Sequence, residues 1–231
     1  MSTDSRSLQL PFSFAFAGEA RFDSFLCQGA NAAVVDHLQQ LGQSPGRLSW
    51  LWGSAGVGKS HLLQSLCQQQ REAIYLPMQR VLDYGSDSLA TLHQSSFLVI
   101  DDIDVVCGKP AWEEQLFALC LHLLASDGRL VCAAAAPPAQ LPFGLKDLQS
   151  RLQLALVYEV HALDEAGKAV VLAQRAASRG IELKEDVVHY ILTRNPRSMR
   201  ELADVLDRLD QQALAEQRRI TIPFVKACLG W

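Results

Sequence analysis

Gly53-Ser54-Ala55-Gly56-Val57-Gly58-Lys59-Ser60 fits the pattern G-x-x-x-x-G-K-[ST] at every fixed position. Ahead of it, Leu48-Ser49-Trp50-Leu51-Trp52 reads as a buried strand, and behind it His61-Leu62-Leu63-Gln64-Ser65-Leu66 has helical spacing. Strand, glycine loop and helix in that order predict a phosphate-binding loop. Its glycines let backbone N–H groups curl around phosphate oxygens without Cβ clashes. The helix N-terminus behind them adds about half a positive charge. In such a loop Lys59 reaches the terminal phosphates and Ser60 ligates Mg2+.

Working outward from the loop, strands are predicted near 48–52, 73–76, 97–101, 129–134 and 156–160. Helices are predicted near 30–41, 59–70, 112–126 and 145–152, with a weak one near 86–93. This alternation implies an α/β fold, a parallel sheet wrapped by helices. After about residue 162 the strands stop. Asp164 can cap a helix that ends before Gly180, a second spans about 184–194 before Pro196, and a third runs from Ser198 to about 217. Pro223 is placed at the first position of a short last helix. Three parts result: an extended N-terminal peptide at 1–20, an α/β domain at 21–161, and a small all-helical domain at 162–231.

Composition narrows the function classes. A chain of 231 residues can bury about 70% of its unfolded surface without disulfide help. Its formal net charge of −4 argues against broad, sequence-independent nucleic-acid binding, which needs a basic face. Arg194, Arg197, Arg200 and Arg218-Arg219 are too few to make one. The six cysteines contain no C-x-x-C pair and mostly sit among apolar residues, the pattern of reduced core thiols in the cytoplasm. The six histidines show no zinc-ligand spacing. No signal-peptide core is present, and no apolar run approaches the ~18 residues of a membrane span.

Three further positions carry chemistry. Phe97-Leu98-Val99-Ile100-Asp101-Asp102 is an apolar strand ending in two carboxylates, expected to lie next to the loop's own strand with Asp101 holding Mg2+. Asp102 stands where many P-loop proteins place a glutamate that polarises the attacking water. In the helix near 145–152, Leu145, Leu148 and Leu152 share a face, and Arg151 lies about 90° off that stripe, free to project sideways. Ser198-Met199-Arg200-Glu201 reads as a capping box. That puts Arg200 in a first helical turn, where a cation costs a few tenths to ~1 kcal/mol unless an anion lies nearby.

These segments occur in the order and spacing of one group. The loop, Ile100-Asp101-Asp102-Ile103, Leu148-Gln149-Ser150-Arg151-Leu152 and Met199-Arg200-Glu201-Leu202 resemble the AAA+ module of the bacterial replication initiator DnaA. Phe22-Asp23-Ser24-Phe25 followed by Gly29-Ala30-Asn31 is similar to that module's opening motif. The resemblance runs from about residue 20 to 231, with no counterpart of the initiator's helix-turn-helix DNA-binding domain. A short homologue ending in Thr221-Ile222-Pro223-Phe224-Val225-Lys226 resembles the Hda family of DnaA regulatory inactivators.

The resemblance implies a P-loop AAA+ parallel sheet flanked by helices, followed by a small all-helical lid. It implies ADP (or ATP) with Mg2+ held by Gly53, Ser54, Ala55, Gly56, Val57, Gly58, Lys59, Ser60 and His61, with Arg200 reading the nucleotide from the lid. Arg151 becomes an arginine finger offered in trans to ATP on DnaA. Leu8, Gln9, Leu10, Pro11 and Phe12 become a peptide for the DNA polymerase sliding clamp, with Ser7 where the family pattern Q-L-x-L-P-[LF] wants glutamine. An exposed finger also suits head-to-tail homo-oligomers, and no sequence-specific DNA binding or membrane contact is expected. Ala133 to Ala136 occupy the strand end where many AAA+ proteins keep a polar sensor, and with Asp102 for glutamate they imply weak intrinsic hydrolysis. A stand-alone ATPase such as a helicase loader, and a nucleotide-dependent clamp-binding adaptor, stay open as alternatives.

Overall fold

Leu48–Trp52 (β1) is an interior strand of a five-stranded sheet in the order β2-β3-β4-β1-β5. The computed structural model describes residues 20–41, 48–194 and 198–231. The clamp-peptide residues Leu8 to Phe12 lie outside them. The other strands are Ile74–Pro77 (β2), Phe97–Asp101 (β3), Arg129–Ala134 (β4) and Leu156–Glu159 (β5). Every pairing is parallel, with Trp52 in register with Ala134 and with Glu159, and Pro77 with Asp101. Helices Asn31–Gln39 (α1), Lys59–Gln69 (α2), Met78–Val81 (α3), Pro110–Ala125 (α4) and Lys146–Leu152 (α5) accompany the strands.

The sheet corrects one expectation. β3 does not neighbour β1, because β4 returns from α4 into the slot between them. The apolar run of β3 is still explained. A strand with partners on both edges and helices over its faces reads as continuous hydrophobics, and all five β3 residues are buried. β5 is an edge strand, and its Leu156 and Val157 are each 44% exposed. Trp50 is fully buried, and its indole N–H donates to the Ala136 carbonyl at 3.0 Å, fixing the chain just past β4.

Contacts divide the chain into two units. Among the described residues the first holds those up to Phe25, Val34–Trp52 and Lys59–Glu159. The second holds Leu26–Ala33, Gly53–Gly58 and Val160–Trp231. The second unit contains the helices Glu165–Ser178 (α6), Glu185–Arg194 (α7), Met199–Glu216 (α8) and Ile222–Leu229 (α9). Its core is built from one face of each, including Leu172, Ile191, Leu202, Leu206, Leu209 and Phe224. Leu202, Leu206 and Leu209 fall at i, i+4 and i+7, one stripe of α8. Asn31 pins the start of this unit, with its side chain both donating to and accepting from the His161 backbone at 2.9 Å.

Local chemistry sets the helix ends. Asp164 Oδ1 accepts from Gly167 N at 2.7 Å and Ser198 Oγ from Glu201 N at 3.3 Å, as their spacing predicts. Thr221 caps α9, so Pro223 is the second helical position rather than the first. α4 begins at Pro110, earlier than the periodicity suggests, because a proline with fixed φ suits a first helical position. The weak helix near 86–93 is a 3-10 run, Ser86–Gln94. The six cysteines form no disulfide. Burial pushes the Cys67 and Cys120 thiols up to about 12 and the Cys132 thiol well above its usual value, whereas Cys27 is exposed. No helix among the described residues is long and apolar enough to cross a membrane.

Candidate functional site

The loop Gly53–Gly58 leaves the carboxyl end of β1, the side on which ligands sit in open parallel sheets. Gly53, Gly56 and Gly58 have φ of 155°, 76° and 107°. A Cβ at Gly56 would meet Ser198 Cβ at 2.6 Å, and one at Gly53 would collide with the Val160 carbonyl oxygen. Both glycines are therefore dictated by close approach as well as by backbone angle. The tip residues Ser54 and Ala55 are exposed, while Val57 is buried and anchors the loop. Ser198, the residue against Gly56, is also the N-cap of α8. Arg200 follows two residues later and is exposed.

In the first unit, Lys59 opens α2 and is only 9% exposed. Burial lowers the Lys59 pKa, while the carboxylates of Asp102, Asp101 and Asp104 act to raise it. Desolvation is the larger effect, so the net shift is downward, and the three carboxylates oppose it. Ser60 is exposed. The His61 side chain turns to the start of the described chain: its Nε2 lies 2.9 Å from the Arg21 carbonyl and 3.3 Å from Ser24 Oγ, and its ring faces Phe25 at 5.8 Å.

Asp101 ends β3 and is 3% exposed. Its Oδ2 accepts from the Tyr75 hydroxyl at 2.7 Å, and its Oδ1 from the Asp102 backbone N–H at 3.1 Å. Gln64 Nε2 donates to the same Tyr75 hydroxyl at 3.2 Å, linking α2, β2 and β3. Burial and the Asp101 charge raise the Tyr75 pKa, so the phenol stays a donor. Asp102 has φ 52° and ψ 44°, a left-handed turn that aspartate tolerates better than most residues. β4 ends in Ala133 and Ala134, both fully buried. Arg151 lies in the last turn of α5 and is exposed, while Leu148 and Leu152 are fully buried.

Residues 164–229 match the family model for the Hda lid domain, and residues 49–123 match one for RNA helicase. Domain III of the Thermotoga maritima replication initiation protein DnaA superposes with TM-score 0.82 at 20% identity, covering 94% of this chain and 98% of that one. AMPPCP-bound DnaA from Aquifex aeolicus gives TM-score 0.70 at 19% identity, covering 87% and 68%. The Thermotoga maritima RuvB Holliday junction branch migration motor gives 0.68 at 16% identity, covering 92% and 72%. At these identities the structural likeness speaks for the fold, and the lid match speaks for residues 164–229. The chain has the fold of DnaA domain III, and its residues 164–229 are similar to the Hda lid.

Three residues around these positions carry no mark in the motifs. Tyr75 and Gln64 bind around Asp101, and nothing in an alternating strand or a helix face marks them in advance. Glu113 is 1% exposed and accepts backbone N–H groups from Gly108, Gly144 and Leu145. Its signal was available: Glu113, Leu116, Cys120 and Leu123 form one helical stripe, so the carboxylate falls on the buried face of α4.

Proposed function

We propose that this AAA+ protein holds ADP with Mg2+ and, docked on the DNA-loaded sliding clamp, stimulates hydrolysis of ATP bound to DnaA by lending Arg151. The observation that carries the proposal is Arg151 itself, an exposed residue in the last turn of a helix whose leucine stripe, about 90° away, is fully buried at Leu148 and Leu152. A guanidinium so presented can reach a neighbouring molecule's triphosphate and offset charge on the transferring phosphoryl, an effect of about 10³–10⁵ in rate.

The chain's own residues fit a nucleoside diphosphate. The loop at Gly53 and Gly56 has no room for a Cβ, and Lys59 is buried within the field of the Asp102, Asp101 and Asp104 carboxylates. Ser54, Ala55, Val57 and Gly58 would offer backbone N–H groups to the phosphates, and Arg200 would contact them from the lid. Ser60 and Asp101 would hold the magnesium ion, which when bound neutralises phosphate charge. Asp102 sits where a water-polarising carboxylate would act, but the run Ala133 to Ala136 offers no side-chain hydrogen bond to orient water. Slow turnover by the chain alone is the consequence. The clamp contact through Leu8, Gln9, Leu10, Pro11 and Phe12 rests on the family pattern.

The test is hydrolysis of DnaA-bound ATP with clamp loaded on DNA, comparing the wild-type chain with Arg151→Ala. Stimulation by wild type and its loss in the variant, with nucleotide binding intact, is expected. Equal stimulation by both removes the finger role. Lys59 with Asp101 and Asp102 also favours a stand-alone ATPase, such as a helicase loader. Turnover of several per second without partners, near the ~10 s⁻¹ typical of enzymes, would replace the regulatory reading with that one. Clamp capture without stimulated hydrolysis would leave an adaptor.

A further inference from the structure

We infer that Glu113 is a positioning residue for Arg151, a clasp that sets the pose of the finger helix from outside it. The inference rests on the role proposed for Arg151. α5 has seven residues, too few to hold a helix by propensity alone. Its first N–H groups need acceptors, and its N-cap, Leu145, supplies none from its side chain. The acceptor comes from α4, 32 residues earlier: Glu113 Oε2 accepts from Leu145 N at 2.6 Å. Glu113 Oε1 accepts from Gly144 N at 3.1 Å and from Gly108 N at 2.7 Å. A Cβ on Gly144 would touch Oε2 at 3.4 Å, so the carboxylate lies directly over this residue.

A carboxylate this deeply buried persists only when its oxygens are hydrogen-bonded, and charge-assisted bonds of this kind are about twice as strong as neutral ones. The start of α5 is thereby fixed to α4. A second brace sits mid-helix, where Gln149 Nε2 donates to the Leu141 carbonyl at 2.9 Å and the Pro138 carbonyl at 3.3 Å. With Leu148 and Leu152 fully buried along the adjoining stripe, the helix that carries Arg151 is held at three points. The third bond has its own meaning. Gly108 ends the segment that leaves β3 through Asp101, Asp102 and the 3-10 turn Ile103–Val106. One carboxylate therefore joins the chain leaving the magnesium-side carboxylates to the chain entering the finger helix.

Glu113→Gln keeps the shape but offers one acceptor oxygen and an N–H2 group to three N–H donors. The full-length chain, with ADP and Mg2+, is assayed for stimulated hydrolysis of ATP on DnaA, for its own ADP affinity and stoichiometry, and for melting. The rate at saturating chain is expected to fall about 10- to 100-fold, as a misplacement near 1 Å does. The half-saturating concentration and ADP stoichiometry should stay unchanged. Gln149→Ala should lower the same rate about 3- to 10-fold by the same reasoning. Wild-type stimulation by a folded Glu113→Gln chain overturns the inference, as does a loss of stimulation in step with ADP stoichiometry. If Glu113→Gln does not fold, Gln149→Ala decides: full stimulation by it sinks the clasp. Arg151→Ala run alongside separates the layers. Its full stimulation removes the finger, whereas its failure beside a normal Glu113→Gln removes only the clasp.

Discussion

α5 carries one exposed arginine, Arg151, and α8 carries Arg200 and Arg208, of which Arg200 lies in the opening turn; the two helices are built in opposite ways. α8 has 18 residues, caps itself through Ser198, and places Arg200 in its first turn. α5 has seven residues, takes its cap from Glu113 in another helix, and places Arg151 in its last turn. A cation in a last turn is favoured by the helix dipole, and one in a first turn is opposed by it. Arg151 thus sits where its helix welcomes it, on a short element that others must hold. Arg200 sits against its own helix's field, on a long element that holds itself. The difference teaches what each arginine asks of its surroundings. An anion beside the α8 N-terminus would repay the cost of Arg200, whereas Arg151 needs no anion from its own chain.

The largest expected break in this comparison is functional. Arg151→Ala should lower stimulated hydrolysis of DnaA-bound ATP about 10³-fold and leave the chain's own ADP affinity unchanged by calorimetry. Arg200→Ala should do the reverse, weakening ADP about tenfold, worth ~1.4 kcal/mol, with stimulation near normal at saturating ADP. Both variants moving the same readout would erase the contrast. Next in size, Glu113→Gln should destabilise the chain by about 1–3 kcal/mol, because it leaves a buried N–H without its acceptor. Ser198→Ala should cost ~1 kcal/mol, the value of an exposed helix cap. Thermal melting orders the two, and the reverse order would mean that α5 is held by packing alone. The smallest effect is Arg200→Glu, which should stabilise α8 by about 0.3–1 kcal/mol while weakening ADP.

The same two helices show what was legible in the sequence. Ser198, Asp164 and Asp101 could be read because each signal is local: a cap three residues from its N–H, an apolar strand ending in a carboxylate. The loop at Gly53–Ser60 was legible for the same reason. The cap of α5 was not, since its carboxylate and its N–H lie 32 residues apart and meet only after the sheet forms. Tyr75 and Gln64 reach Asp101 through sheet pairing and helix packing, which no spacing encodes. The position of β4 between β1 and β3 was missed because strand order follows from crossovers rather than from any one strand's composition.

The distribution of thiols makes the chain easy to tag. Cys67, Cys120 and Cys132 are buried, and their sulfurs stay protonated at neutral pH. Since only the thiolate attacks an alkylating dye, a maleimide fluorophore at short exposure should seat first on the exposed Cys27, two residues before Gly29 in the opening motif.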